Sequence, residues 1–234
     1  MAIESEESSA SNQSFGGMSR FSEVLPYLQG LNLSLPKAVI ERGSMQPIAQ
    51  ASPLEDIEAE IAALPIDQTL MSYRHFVVFF GTSSQMPATL HEITRLREMT
   101  FRAFQEGSGQ PVDTDKYDVD YDHLFAWDTK QHALVGSYRL GKTDQLRERY
   151  GNDGTYLAQM FNFDEEFYAG APLVEIGRSF VVPEYQKSHH SLFLLWCGIS
   201  RYLIANPRYR QVYGVVSMSR LYDSRAMAMM RDVL

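Results

Sequence analysis

The chain has 234 residues, 44% of them hydrophobic, with a formal net charge of -8, which suits one sizeable core plus an extension and excludes a fibre or a wholly disordered chain. The acidic balance argues against a general nucleic-acid binder, which needs a positive field over much of one face, so no nucleic-acid partner is expected. Cys197 is the only cysteine and sits in an apolar run, so neither a disulfide framework nor a thiol-rich metal site is expected, and the compartment is read as reducing.

The start, MAIESEESSA, is acidic where a signal peptide would be basic and then apolar, and no apolar run approaches the roughly 18 to 20 residues that a membrane span needs. A cytoplasmic location is expected. Met1 to Ser22 is Ser, Glu, Gly and Asn with little apolar content, the composition of a disordered tail. Phe21 to Ala51 has scattered Leu, Val and Pro without either period and reads as a loosely docked arm. Pro53 to Leu64 places Leu54, Ile57, Ile61 and Leu64 at helical spacing, with acids in the first turn where the helix dipole favours them. Residues 1–70 are therefore expected to form a disordered or loosely docked extension, and 71–234 the compact domain.

Tyr73 to Phe80, YRHFVVFF, has strand composition and is closed by Gly81. Ala88 to Phe104 follows as a helix that carries Ile93, Leu96, Arg97, Thr100, Phe101 and Phe104 on one face. A guanidinium on the apolar side of a helix needs an acid opposite it. The next stretch, DTDKYDVDYD, offers Asp113, Asp115, Asp118, Asp120 and Asp122. It lacks the central Gly and terminal Glu of an EF-hand loop, and no metal is expected.

His123 to Asp128 and Leu134 to Gly141 read as two antiparallel strands, with Arg139 pointing away from its neighbours Tyr138 and Leu140. His123 and Asp128 happen to fit the H-x-x-x-x-D pattern of glycerolipid O-acyltransferases, but on a strand the two ends face opposite ways, so that match is discounted. Asp144 to Phe167 is polar and aromatic, with a helix around Leu146 to Tyr150.

The stretch from Leu173 to Tyr202 organises the rest. Leu173 to Val182 is a strand by composition, Pro183 stops it, and from His189 the residues Leu192, Leu195, Trp196, Ile199, Tyr202 and Leu203 form one apolar helical face. Within the strand sit Glu175 and Arg178, and buried charges must be paired or working. Three positions apart, they would face opposite sides of a regular strand; a bulge at Gly177 would bring both to one side. Tyr209 to Ser217 then reads as a strand and Tyr222 to Leu234 as a helix. The order is mixed α/β, and P-loop, G-x-G-x-x-G, H-E-x-x-H and G-x-S-x-G motifs are all missing.

These charged positions carry a family resemblance. Val135 to Leu140 (VGSYRL), Glu175 to Val181 (EIGRSFV), Pro183 to Tyr185 (PEY) and the helix with LFLLW together resemble GNAT-fold N-acyltransferases. The branch is that of ornithine-lipid synthases and hemolysin-like proteins, related to acyl-homoserine-lactone synthases. The resemblance covers roughly Tyr73 to the chain end. It implies a GNAT-like mixed, mostly antiparallel central sheet flanked by helices, incomplete at the C-terminus. Arg97 and Phe101 match its R-x-x-x-F, Asp115 and Asp118 its D-x-x-D, Arg139 its third-strand arginine, and Glu175 with Arg178 its E-x-x-R.

The resemblance implies attack of an amine on an acyl thioester. An amine with pKa of about 8 to 10 is mostly protonated at neutral pH, so a base is needed, and Glu175 is the candidate, with Arg178 beside it. Arg139 or Arg178 is expected to hold the carboxylate of an amino-acid acceptor such as ornithine, while Arg97 with Asp115 and Asp118 fixes the loop over the acyl and acceptor pocket. Phe101 belongs to that substrate-binding set, with Ser217 a weaker member. One departure concerns the donor: the turn QKSHHS has no glycine with which to cradle a coenzyme A pyrophosphate. An acyl-carrier-protein thioester is therefore the expected donor over acyl coenzyme A, docked on Lys187, Arg201, Arg208 and Arg210, and no tightly bound cofactor is expected. The leading expectation is transfer of a fatty (3-hydroxy)acyl chain to an amino-acid amine, giving a lyso-aminolipid and peripheral contact with the inner membrane. An autoinducer synthase and a non-catalytic module on a degenerate GNAT fold are the alternatives.

Overall fold

The computed structural model describes residues 45–215, together with 223 and 225. Ser217 and the helix expected over Tyr222 to Leu234 lie outside the described residues, as does the tail over 1–44, apart from Asp223 and Arg225 within that helix. The described helices are α1 (Leu54–Ala63), α2 (Pro87–Ala103), α3 (Thr143–Tyr150), α4 (Glu165–Tyr168) and α5 (His189–Ala205). The strands are β1 (Thr69–Tyr73), β2 (Phe76–Gly81), β3 (Asp122–Asp128), β4 (Ala133–Lys142), β5 (Leu173–Val181) and β6 (Gln211–Gly214).

They form a single sheet in the order β1-β2-β3-β4-β5-β6, antiparallel up to β5, with β6 parallel to β5. This is the mixed, mostly antiparallel sheet flanked by helices that the resemblance implied. The run expected as one strand from Tyr73 to Phe80 is instead a hairpin: Tyr73 pairs with Phe76, and Arg74 takes φ 57° at the turn. Composition alone could not place that turn, because it contains neither Gly nor Pro.

Period-two alternation sends side chains to two cores. On one face Val78, Leu124, Val135 and Leu140 pack against Leu194, Leu195, Ile199 and Tyr202 of α5. On the other, Phe79, Phe125, Trp127 and Phe180 pack against Ile93 and Leu96 of α2 and Ile57 of α1. Gly198 lets α5 approach β2, since a Cβ there would lie 2.7 Å from Val78 Cγ1. The buried face of α5 differs from the expected one. Leu194 is sealed, whereas Leu192 and Trp196 are exposed at 52% and 45%. A helix apolar on all sides gives no period by which to choose its inner face.

The stretch expected as a loosely docked extension is packed over its described part. Gln46 N–H donates to the Gly109 carbonyl at 2.9 Å and Ala49 N–H to the Pro111 carbonyl at 3.0 Å. The N-terminus of α2 has Pro87 in its first turn, but its N-cap residue Met86 makes no side-chain cap. Glu60 of α1 replaces that cap, accepting from Ala88 N at 2.8 Å and from Thr89 N and Oγ1 at 2.7 Å. A carboxylate there also meets the positive end of the helix dipole. Ile57 is 4% exposed against this joint. Ile57→Ala should therefore lower the unfolding free energy by about 2 to 4 kcal/mol, measured by denaturant titration. A change below about 0.5 kcal/mol, the range of neutral surface substitutions, would show that α1 is not part of the core.

Candidate active site

The site begins at the end of α2. Glu98 is fully buried and accepts from Arg102 Nε at 2.7 Å and from Ser108 N, Ser108 Oγ and Gly109 N at 2.8 Å. Burial works to raise its pKa, but the Arg102 and Ser108 bonds outweigh that and leave it lowered. Glu98 thus fixes the turn at Gly109, where φ is 79°, and starts the aspartate loop along a set path. The D-x-x-D spacing then has a local cause. Asp115 accepts from Tyr117 N at 2.8 Å and Asp118 from Asp115 N at 2.9 Å, a capping box on the short 3-10 turn Lys116–Val119.

Both carboxylates are thereby aimed inward, where they join a closed ring of six charges. Arg97 Nε meets Asp113 at 2.8 Å, Asp113 meets Arg178 at 3.3 Å, and Arg178 meets Asp115 at 3.5 Å. Asp115 meets Arg139 at 2.7 Å, Arg139 meets Asp118 at 3.2 Å, and Asp118 returns to Arg97 at 3.0 Å. Arg97 also donates to the Asp113 carbonyl. Three cations alternate with three anions, so the ring is neutral although Arg97 is only 1% exposed. Tyr121 and Tyr156 lie under the Arg139 guanidinium with ring centroids at 4.9 and 5.2 Å, and Tyr156 also lies under Arg178 at 5.1 Å.

This arrangement corrects the expected pairings. Arg97 pairs with Asp118 as expected, but its other partner is Asp113; Asp115 faces Arg139 and Arg178 instead. Arg139 is sealed, its side chain 2% exposed, so it is not open to the carboxylate of an acceptor. Arg178 is the accessible arginine: its side chain is 25% exposed, its ring contacts are the longest, and its Nε is buried without a partner. Phe101 packs into the α2 core rather than into the ring.

Glu175 and Arg178 do lie on one face of β5, through an irregularity seated differently from expectation. The β4–β5 register shifts between Ser137, opposite Phe180, and Arg139, opposite Gly177. Arg178 itself takes the left-handed φ of 49°. Gly177, expected as the bulge, leaves a gap: a Cβ there would meet nothing within 4 Å. Pairing with β6 ends at Ile176 and Gly214. Among the described residues, the far edge of β5 from Gly177 to Val181 has no strand partner.

Glu175 is 3% exposed. Its Oε1 accepts from the Tyr121 hydroxyl at 3.0 Å, and its Oε2 from Leu157 N and the Tyr213 hydroxyl, both at 3.1 Å. Burial and then the Glu175 charge hold both tyrosines far above their ordinary pKa, so they remain donors. A carboxylate has about four acceptor positions. Three are filled, and the free one is on Oε1. Tyr121 and Tyr213 were missed in the sequence because nothing in their own segments marks either as a donor; the buried acid on β5 was the signal that donors were required.

The remaining charged candidates are scattered. Lys187, Arg201 and Arg210 are exposed, and Arg208 is ion-paired with Asp144. Lys187 and Arg208 are separated by the whole of α5, about 25 Å at 1.5 Å per residue. His123 Nε2 bonds the Asp118 carbonyl at 2.8 Å, while Asp128 closes the turn at Lys130 and Gln131, so the O-acyltransferase-like pair does not meet. Asp113, Asp115 and Asp118 face arginines, and no group of metal-ligating side chains occurs among the described residues. Nor is any helix among them long and apolar enough to cross a membrane.

The ring implies a dependence of stability on pH. Burial opposes ionisation of Asp118, but Arg97 and Arg139 prevail and hold its pKa at about 2. A carboxyl depressed in the folded state gives stability that is full above its unfolded pKa of about 4 and is lost as pH falls toward 2. About 2 kcal/mol should disappear across that window, and Asp118→Asn should remove that pH dependence while costing about 3 to 5 kcal/mol at neutral pH by stranding the arginines. The same acid slope in Asp118→Asn and the parent, measured by denaturant titration across that range, would show that the ring does not tune this group.

Comparison with known proteins gives this geometry a context. Residues 96–196 match the family model for the acetyltransferase (GNAT) domain. The chain is 33% identical over 160 residues to a glycine N(alpha)-acyltransferase of Phocaeicola vulgatus, a match covering 63% of this chain and 49% of that one. It is 32% identical over 163 residues to an L-ornithine N(alpha)-acyltransferase of Brucella abortus, covering 61% and 56%. To the L-ornithine N(alpha)-acyltransferase of Rhizobium meliloti it is 34% identical over 110 residues, covering 44% and 36%. The chain thus spans about half the length of the curated relatives it matches. Arg97, the aspartate loop, Arg139, Glu175 and Arg178 all fall inside the span that matches the acetyltransferase (GNAT) domain model.

Proposed function

We propose that this chain is an N-acyltransferase that moves a fatty (3-hydroxy)acyl group from a carrier thioester to the α-amine of an amino acid, forming a lyso-aminolipid. The observation that carries this reading is the buried Glu175, with one acceptor position left on Oε1, beside the accessible Arg178 and a stretch of β5 that has no strand partner among the described residues. The glycine and L-ornithine acyltransferases among the relatives support an acceptor bearing both an α-amine and an α-carboxylate.

In the proposed step the amine nitrogen attacks the thioester carbonyl, the N–C bond forms and the C–S bond breaks. Glu175 Oε1 takes the amine proton, directly or through one water, and the proton passes on to the leaving thiolate. Backbone N–H groups of β5 beyond Ile176, where pairing with β6 ends among the described residues, are suited to the tetrahedral oxyanion. Arg178 is suited to a bidentate bond with the acceptor carboxylate, because giving up its 3.3 to 3.5 Å contacts sacrifices less than breaking Arg97 or Arg139 out of the ring would.

The carrier donor is supported by the turn before α5. Gln186 N, Ser188 N, His190 N and Ser191 N are already bonded locally, to Pro183, Tyr185 and Ser188, which leaves a poor nest for a pyrophosphate. A carrier protein offers one phosphodiester and an acidic helix instead, which the exposed Lys187 and Arg210 can meet with side chains.

The reading is tested by incubating the purified chain with acyl carrier thioester and either glycine or ornithine, and identifying products by mass spectrometry. An N-acyl amino acid with stoichiometric thiol release is expected. Acylation of S-adenosylmethionine alone, or of no amine, would overturn the reading. Glu175→Gln should reduce kcat by about 10² to 10⁴ with the fold intact; parent-like turnover at saturating acceptor would remove Glu175 from the chemistry. Gly177→Leu fills open space at an ordinary φ, so it should abolish turnover without loss of thermal stability. For the donor, kcat/KM is expected to be at least about tenfold higher with the carrier thioester than with acyl coenzyme A, and to fall with salt. Equal use of both donors at all ionic strengths would contradict carrier docking.

A further inference from the structure

The outer face of α5 carries a row of exposed apolar side chains that the site does not use. Phe193 is 64% exposed, Trp196 45% and Ile204 69%, and their spacing of three and eight aligns them along one side of the helix, with Leu192 at its edge. Tyr73 of β1 extends the stripe, its ring stacked on His190 at 6.1 Å and covered by the Arg74 guanidinium at 5.2 Å. Scattered apolar side chains on a surface need no explanation, but a row of aromatic and aliphatic side chains along one helix needs a cover.

Charge says what the cover is. A chain with 29 acidic residues has none between Glu184 and Asp223, a stretch that contains all of α5. Arg201 on α5 and Arg74 beside its first turn are exposed. Long cationic side chains reach past an apolar stripe to anionic groups in the plane above it. A second copy of the chain would set Arg201 and Arg74 against their own kind, and α5 itself has no acid to offset that repulsion.

We propose that the outer face of α5 rests in the interface of an anionic phospholipid bilayer, with Phe193, Trp196 and Ile204 entering the headgroup boundary and Arg201 and Arg74 meeting lipid phosphates. The combination of Trp, Phe and Ile on one side with flanking arginines is that of a helix lying in the membrane plane. The chain as a whole is acidic, so the attraction is local to this face and orients the molecule on the lipid. The assignment stands on this surface and does not depend on the acyl-transfer reading.

The chain contains its own probe. Of its two tryptophans, Trp127 is buried at 5%, so Trp196 is the one that senses the surface. Full-length protein titrated with vesicles of phosphatidylglycerol and phosphatidylcholine should bind, with a blue shift of Trp emission and quenching by brominated lipid, and bind far less to pure phosphatidylcholine. Phe193→Ser with Ile204→Ser should weaken partitioning by roughly tenfold or more, given the apolar area withdrawn. Arg201→Glu should weaken it chiefly at low salt. All three positions are exposed, and far-UV circular dichroism verifies folding. No emission shift with anionic vesicles, or binding untouched by these substitutions, would overturn the proposal. So would a concentration-dependent dimer that is lost in the double serine variant. Binding of an acidic carrier protein that is lost in that variant, without vesicle binding, would assign the face to a protein instead.

Discussion

The ring of three arginines and three aspartates is the constraint on which the site depends. It joins α2, the aspartate loop, β4 and β5, none of which could bury its own charge alone. Each charge has an opposite neighbour on both sides, so losing one member leaves two partners unsatisfied at once. The ring also stabilises what local preference disfavours. Arg178 at φ 49° sits where a residue with a side chain costs about 1 to 2 kcal/mol, and its contacts with Asp113 and Asp115 offset that cost. The left-handed residue shifts the register so that Glu175, Arg178 and the gap at Gly177 share a face.

A second layer links the ring to Glu175. Tyr121 packs its ring under Arg139 and gives its hydroxyl to Glu175, while the same hydroxyl accepts from Tyr156 N at 2.9 Å. The carboxylate is therefore oriented by groups that the ring itself positions. Restraint on Oε2 by Leu157 N and Tyr213 leaves Oε1 as the side with capacity to accept a proton.

Much of this was legible in the sequence. Arg97, Arg139, Glu175 and Arg178 each stood out because a charge within an apolar periodic segment has to be answered elsewhere, and the loop after α2 held a dense supply of acids. What could not be read was the matching. Whether Asp113 or Asp115 faces Arg97 depends on the path that Glu98 imposes at Gly109, a tertiary event. The bulge was assigned to Gly177 on backbone preference, but tertiary ion pairs outweigh that preference and place it one residue later. The fold class was readable from alternating strands and helices, whereas the inner face of α5 was not, because Leu192, Leu194 and Trp196 carry no polar contrast to order them.

Above all, the ring holds the irregular part of β5 in place. Amide hydrogen exchange in Asp115→Asn tests this most directly, since the substitution weakens the contacts to Arg139 and Arg178 and leaves the packed strands untouched. Exchange at Gly177, Arg178 and Ser179 is predicted to accelerate at least about tenfold while Phe79 and Phe125 keep their protection, the signature of local opening. Unchanged exchange across Gly177 to Ser179 in that variant would contradict a ring that braces the strand.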